Sequence, residues 1–151
     1  LILCMYLAKR RRSYLYDYRF PYRLWYGIWS PFATVRLFYD KAIATADAYV
    51  DSGAFYSIFG PVVAASLGLT ITAGGRKRVR LADGRMITVY LHRMGFCLGK
   101  EHFTATIGFS AELGIGLNLL GRFSIFDQLM FCFNDHERML YVSRIEGEHE
   151  S

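Results

Sequence analysis

From Pro31 onward the chain is cut into short apolar-rich runs by turn-forming residues, and this punctuation confines it to a β-rich fold. The run "EHFTATIGF" carries the pattern most clearly. Its alternation sets Phe103, Ala105, Ile107 and Phe109 on one face and His102, Thr104 and Thr106 on the other, the period of two that a half-buried strand requires. "TVRLFYD" and "ATADAYV" predict two more strands, and "MITVYLHRMGFCLG" is long enough for one strand to predict a bend. Asp83-Gly84 inside "RKRVRLADGRM" predicts a hairpin, and "LMFCFNDHERMLYV" a second, turning at Asn134 to Glu137. Helix signals are confined to "GPVVAASLG", with Pro61 suited to the first helical position, and "GRFSIFDQL" after Gly121.

A chain of 151 residues with 53% hydrophobic content can bury one core, so one globular domain is expected. Its formal charge of +5 is unevenly placed. Residues 1–40 hold seven Lys/Arg against Asp17 and Asp40, which is +5, and in residues 41–151 eleven basic and eleven acidic residues cancel. The expected organisation is a basic, aromatic and loosely ordered arm over residues 1–30, a folded domain over 31–142 and a charged tail over 143–151. Residues 1–8 followed by "KRRR" match the end of a membrane span with a basic flank, although eight residues do not cross a bilayer. Membrane contact through the arm is therefore carried as a secondary expectation. The arm lacks an RNP-type or helix-turn-helix pattern, so nucleic acid is not the expected partner. Cys4, Cys97 and Cys132 are odd in number and form no CxxC pair, and no N-x-S/T site is present; a reducing, cytoplasmic location is expected.

The strand "ATADAYV" runs directly into Asp51-Ser52-Gly53-Ala54. On its own such a segment reads as a turn, with the aspartate capping the backbone. About seventy residues later stands a second signature, Leu119-Leu120-Gly121 followed by Arg122. By itself that is a buried strand. Taken in order, with a glycine-bearing hairpin between them, the two motifs resemble the retropepsin-like aspartic proteases, the single-domain group of retroviral proteases and bacterial relatives. The resemblance covers about residues 31–142.

The resemblance implies an all-β fold, a small closed barrel of retropepsin type with one or two short helices, assembled as a symmetric homodimer. It makes Asp51 the catalytic residue, Ser52, Gly53 and Ala54 the active-site loop, Leu119, Leu120, Gly121 and Arg122 its support, and Ala82, Asp83, Gly84 and Arg85 the tip of a flap over substrate. Its activity is hydrolysis of peptide bonds in peptide or protein substrates. Chemistry accounts for the residue types. Attack of water on a peptide carbonyl needs a base for the water proton and an acid for the carbonyl oxygen, and two close carboxylates sharing one proton provide both. One D-S-G loop supplies one carboxylate, so the second is expected from Asp51 of another copy across a two-fold axis. Asp47, Asp83, Asp127 and Asp135 lie outside any D-S/T-G context and are discounted.

The main alternative is a non-catalytic dimeric module of the same fold that binds peptide in its cleft. Arg76, Lys77, Arg78 and Arg80 read as a charged, protected edge strand. "GIGLNLLG" lacks the spacing of a dinucleotide loop, and no cofactor is expected. His92, His102, His136 and His149 show no ligand spacing, so no metal is assigned. Phe55 follows Ala54 where retroviral members often carry an acidic residue, which implies a more apolar substrate pocket.

Overall fold

The structure, a computed structural model, describes residues 16–114 and 116–146. The chain opens with β1 (Tyr18–Pro21), β2 (Arg23–Trp25) and β3 (Ile28–Ser30), continues through β4 (Phe32–Tyr39) and β5 (Ala42–Val50), and reaches β6 (Ile58–Phe59) and the short helix α1 (Pro61–Ser66). After one 3-10 turn (Ile71–Ala73) come β7 (Gly75–Arg80), β8 (Met86–Leu98), β9 (Glu101–Phe109), β10 (Leu119–Leu120), β11 (Leu129–Asn134) and β12 (Met139–Arg144).

Seven strands form one sheet in the order β4-β5-β10-β6-β9-β8-β7, and β4 also pairs with β8 through Arg36–Cys97, Leu37–Phe96 and Phe38–Gly95. The thirteen-residue β8 therefore meets β7 along its first half, β9 along most of its length and β4 near its end. β9 takes one edge of β8 along most of its length, and β7 and then β4 share the other edge. β9 pairs as its alternation demands: Ala105, Ile107 and Phe109 are buried while His102 and Thr104 are exposed. The main core gathers Val35, Leu37, Val50, Phe59, Phe96, Ile107, Phe109 and Leu120, each almost wholly removed from water. Packing of this kind supplies the non-directional part of the fold's stability.

Two expectations need correction. Residues 18–30 are ordered strands: β1 pairs with β12 in a three-stranded sheet completed by β11, and β2 pairs with β3 as a separate hairpin. Tyr22 is buried in the main core. The segment "GRFSIFDQL" is a series of turns and not a helix; Phe126 N–H reaches the Arg122 carbonyl at 2.9 Å and Leu129 N–H the Ile125 carbonyl at 2.9 Å, but Ser124 at φ 61° breaks the run. The helix at Pro61 and both hairpins stand as expected.

Candidate active site

Strand β5 delivers Asp51 into a tight loop. The Ala54 N–H donates to the Asp51 carbonyl at 3.1 Å, and the Gly53 N–H donates to Asp51 Oδ1 at 2.8 Å, so the aspartate also fulfils its simple turn role. The loop is then stitched to the segment carrying the second signature. β10 lies parallel to β5, with Leu119 beside Tyr49 and Leu120 beside Val50, and antiparallel to β6. Asp51 N–H donates to the Leu120 carbonyl at 3.0 Å, Arg122 N–H to the Ala54 carbonyl at 3.0 Å, and Phe123 N–H to the Phe55 carbonyl at 2.7 Å.

Gly121 is required by this closeness. A Cβ there would strike the Tyr56 carbonyl, and the Ala54 carbonyl oxygen would lie only 3.0 Å away. The structure thus brings together Asp51, Ala54, Leu119, Leu120, Gly121 and Arg122. Asp51 is half-buried, while Ser52 and Gly53 are exposed.

Two residues that hold the loop escaped the sequence reading. Ser57, fully buried, accepts the Gly121 N–H at 2.9 Å through Oγ. Asn118 accepts the Gly60 N–H at 3.0 Å and donates to the Asp47 carbonyl at 3.0 Å. The available signals were a lone serine inside the apolar run "FYSIFG" and a lone amide before "LLG".

Asp47 and Asp135 are engaged elsewhere. Asp47 binds Arg23 in a bidentate ion pair, 2.5 and 2.9 Å, and accepts the Thr34 hydroxyl at 2.6 Å. The Arg23 bonds, with help from Thr34 and against partial burial, hold its carboxyl below the usual range. Asp135 accepts the Tyr22 hydroxyl at 2.8 Å, and Asp127 is exposed in the turns after Gly121. Tyr49, beside the loop, has its phenol pushed up by burial and then by the charges of Asp51 and Asp135.

Ala82, Asp83, Gly84 and Arg85 form the exposed tip of the β7–β8 hairpin, with Gly84 at φ 87°. Their polar bonds stay within the hairpin: Arg85 Nε to Asp83 Oδ2 at 2.7 Å, Arg85 N–H to Asp83 Oδ1 at 2.9 Å and Arg80 to the Gly84 carbonyl at 3.3 Å. The hairpin's root is tied to the loop through a second apolar cluster, in which Ile87 and Val89 pack with Ile58 and Leu113, and Val79, Leu81, Tyr56 and Leu119 close around them. Beside Ala54, the Phe55 and Phe123 rings meet at a tilt of 33° with 5.2 Å between centroids, and the Arg122 guanidinium lies 5.9 Å from the Phe55 ring.

Among solved structures, a retropepsin-like aspartic protease from Rickettsia conorii is similar to 83% of this chain and 98% of its own, with a TM-score of 0.60 at 18% identity. EIAV protease in complex with the inhibitor HBY-793 is similar over 65% of this chain and 86% of its own, with a TM-score of 0.50 at 15% identity. The fold is retropepsin-like. No protein-family model and no curated protein matches the sequence. The retropepsin-like fold is mostly strand, as the sequence predicts, with α1 and one 3-10 turn as its helical elements among the described residues. Neither the His92 ring, whose Nε2 lies 2.8 Å from the Ile71 carbonyl, nor any group of three potential ligands among the described residues forms a metal cluster. No helix among the described residues is long and apolar enough to cross a membrane, and the apolar stretch of residues 1–8 with its "KRRR" flank lies outside them.

Proposed function

We propose that the chain is an aspartic endopeptidase in which two copies each contribute Asp51 to a shared dyad. One observation carries this reading: the loop that holds Asp51 is fixed by backbone bonds to Leu120 and Arg122 and by the Ser57–Gly121 bond, while its own carboxylate is left half-exposed. A turn needing only its Asx bond would not require so many long-range ties. In this reading the β4–β8 pairing closes the large sheet into a barrel, the Ala82–Arg85 tip acts as a flap, and the dyad activates water against a peptide carbonyl without a covalent intermediate. Leu119, Leu120, Gly121 and Arg122 are the support that keeps the carboxylate in register with its partner.

The engagement of Asp47 with Arg23 and of Asp135 with Tyr22 supports seeking the second carboxylate in another copy. The test is cleavage of a peptide library by the wild-type chain and by Asp51→Asn, whose amide is nearly isosteric. Wild-type cleavage should be blocked by a statine-type transition-state mimic, and Asp51→Asn should show only background cleavage with an unchanged fold. Retained activity in Asp51→Asn removes the assignment. Peptide binding by the wild type with no cleavage at any pH assigns the non-catalytic binding module instead.

A further inference from the structure

The open edge of β7 carries four cations, Arg76, Lys77, Arg78 and Arg80, all exposed and none of them in an ion pair with a described residue. β7 stands last in the seven-stranded sheet and pairs with β8 alone. Two bonds made by Thr88 settle which backbone groups of β7 face the open side. The Thr88 N–H donates to Glu112 Oε1 at 3.3 Å, and the Thr88 carbonyl accepts the Ser110 hydroxyl at 2.7 Å, so neither group is given to β7. Arg78 stands opposite Thr88 in the register. In an antiparallel ladder it therefore belongs to a non-hydrogen-bonded pair, with its own N–H and C=O turned to the open edge. The alternation of such pairs gives Arg76 and Arg80 the same orientation.

The arginine side chains share one face. Arg78 Nη1 donates to Thr88 Oγ1 at 3.0 Å and Arg80 Nη1 to the Gly84 carbonyl at 3.3 Å, while Val79 and Leu81, on the other face, pack with the cluster of Ile87 and Val89 that reaches Leu119. Each arginine thus presents a free N–H, a free C=O and a guanidinium without a carboxylate, repeated along the strand about every 6.7 Å. We propose that β7 binds an acidic extended peptide, which adds to the sheet antiparallel to β7 with a carboxylate side chain opposite each of Arg76, Arg78 and Arg80. Directly opposed residues of an added strand point their side chains to the same face, close enough for opposite charges to pair. The site lies on the hairpin's outer face, turned from the side through which Val79 and Leu81 pack on the body, and does not depend on the chemistry of Asp51.

Ladder and charge together select this occupant. A row of cations keeps neutral and basic strands from an open edge, but it draws an acidic one. Single-stranded nucleic acid offers only acceptors along its phosphates, so it leaves the Arg76, Arg78 and Arg80 carbonyls without donors, and "GRKRVR" has no aromatic side chain on which bases stack. An anionic lipid surface draws on the charge alone and leaves the ladder unmatched.

The experiment is fluorescence anisotropy of the full chain with a short labelled peptide, capped at both ends, in which three glutamates alternate with valines. It should bind about tenfold tighter than an isomer with the same glutamates contiguous, the combined effect of three opposed charge pairs. Arg76→Gln/Arg78→Gln/Arg80→Gln, all at exposed positions, should lose that preference while its circular dichroism spectrum and melting curve stay those of wild type. N-methylation of the peptide's glutamates, whose N–H groups face β7, should abolish binding, and N-methylation of its valines should not. Equal binding of the two isomers, or tolerance of methylated glutamates, overturns the proposal. So does displacement of the peptide by a statine-type mimic, which places it at Asp51 instead. Capture of wild type, but not of the glutamine variant, by oligouridine or by phosphatidylserine vesicles, with no binding of the alternating peptide, also overturns it and assigns the edge to nucleic acid or to lipid. The readout is binding, so a failure of the protease reading in Asp51→Asn leaves this test as it stands.

Discussion

The loop at Asp51 and the turn from Ala82 to Arg85 are both exposed bends that follow a strand, yet their bonds run to very different places. The backbone of the first is tied to Leu120, Arg122 and Phe123, and through Ser57 to Gly121. The second is tied to itself: Leu81 N–H meets the Arg85 carbonyl at 2.8 Å, Gly84 N–H meets the Leu81 carbonyl at 2.9 Å, and Asp83 holds Arg85. Opening the loop means breaking the sheet around β10, whereas the hydrogen bonds broken on opening the turn all lie within the hairpin, whose root alone packs on the body through Val79, Leu81, Ile87 and Val89. The two therefore sit at opposite ends of the scale of local stability. For the proposed protease, this places rigidity at the reacting carboxylate and compliance where a peptide must enter.

Glycine substitutions test the contrast most severely. Gly121→Ala forces a methyl group into the Tyr56 carbonyl, a backbone atom that cannot swing aside, and should cost about 3 kcal/mol in urea unfolding. Gly84→Ala meets nothing within 4 Å and pays only for its positive φ, about 1 kcal/mol. Equal losses at the two positions would break the comparison.

A smaller effect isolates one tie. Ser57→Ala leaves the Gly121 N–H without its buried partner and should lower stability by about 2 kcal/mol. Amide exchange should then speed up at Gly121 and Asp51 before it changes at Gly84. If exchange rises at Gly84 alone, the bond is not what fixes the loop.

The smallest effect is pH-dependent. Arg23 holds the Asp47 carboxyl below its unfolded value, so the pair stabilises the fold above the ordinary carboxylate range and is lost as pH falls through the lowered folded value. Both side chains are over two-fifths exposed, so the contribution is under about 1 kcal/mol. Asp47→Asn should flatten the acid side of the stability curve by that amount. Asp83 is held low by Arg85 in the same direction, but that bond joins residues of one turn. Asp83→Asn should leave the acid dependence of the melting temperature as it is in the wild type, and a change there as large as that of Asp47→Asn would show that the turn is coupled to the body.

Much of the large sheet was legible because its strands bury one face. The alternation of "EHFTATIGF" reports that burial directly, and Asp83-Gly84 reports the turn chemistry. The association of Asp51 with Leu119-Leu120-Gly121 came from a resemblance, since no periodicity links segments so far apart. Ser57 and Asn118 show in the sequence only as lone polar residues in apolar surroundings, because their importance lies in which distant N–H and C=O groups they meet. The strands of residues 18–30 were missed because they are three or four residues long, too short for a period to show, and are interrupted by Pro21 and Gly27. "GRFSIFDQL" looked helical because its apolar spacing is helical, and Ser124 breaks it at a φ that spacing does not encode.

The parallel pairing of β10 with β5 joins Leu119 to Tyr49, positions seventy apart in sequence (119 − 49). Hairpins such as β4–β5 and β7–β8 close over a few residues, whereas this pairing must first meet the entropy of a long loop. A growing polypeptide therefore completes the local sheet first, and the surroundings of Asp51 take shape only after Leu120 has been synthesised and docked. If the chain is a protease, its activity is delayed by the order of its own assembly: from the synthesis of Asp51 until that of Leu120, Asp51 is an aspartate in an ordinary turn.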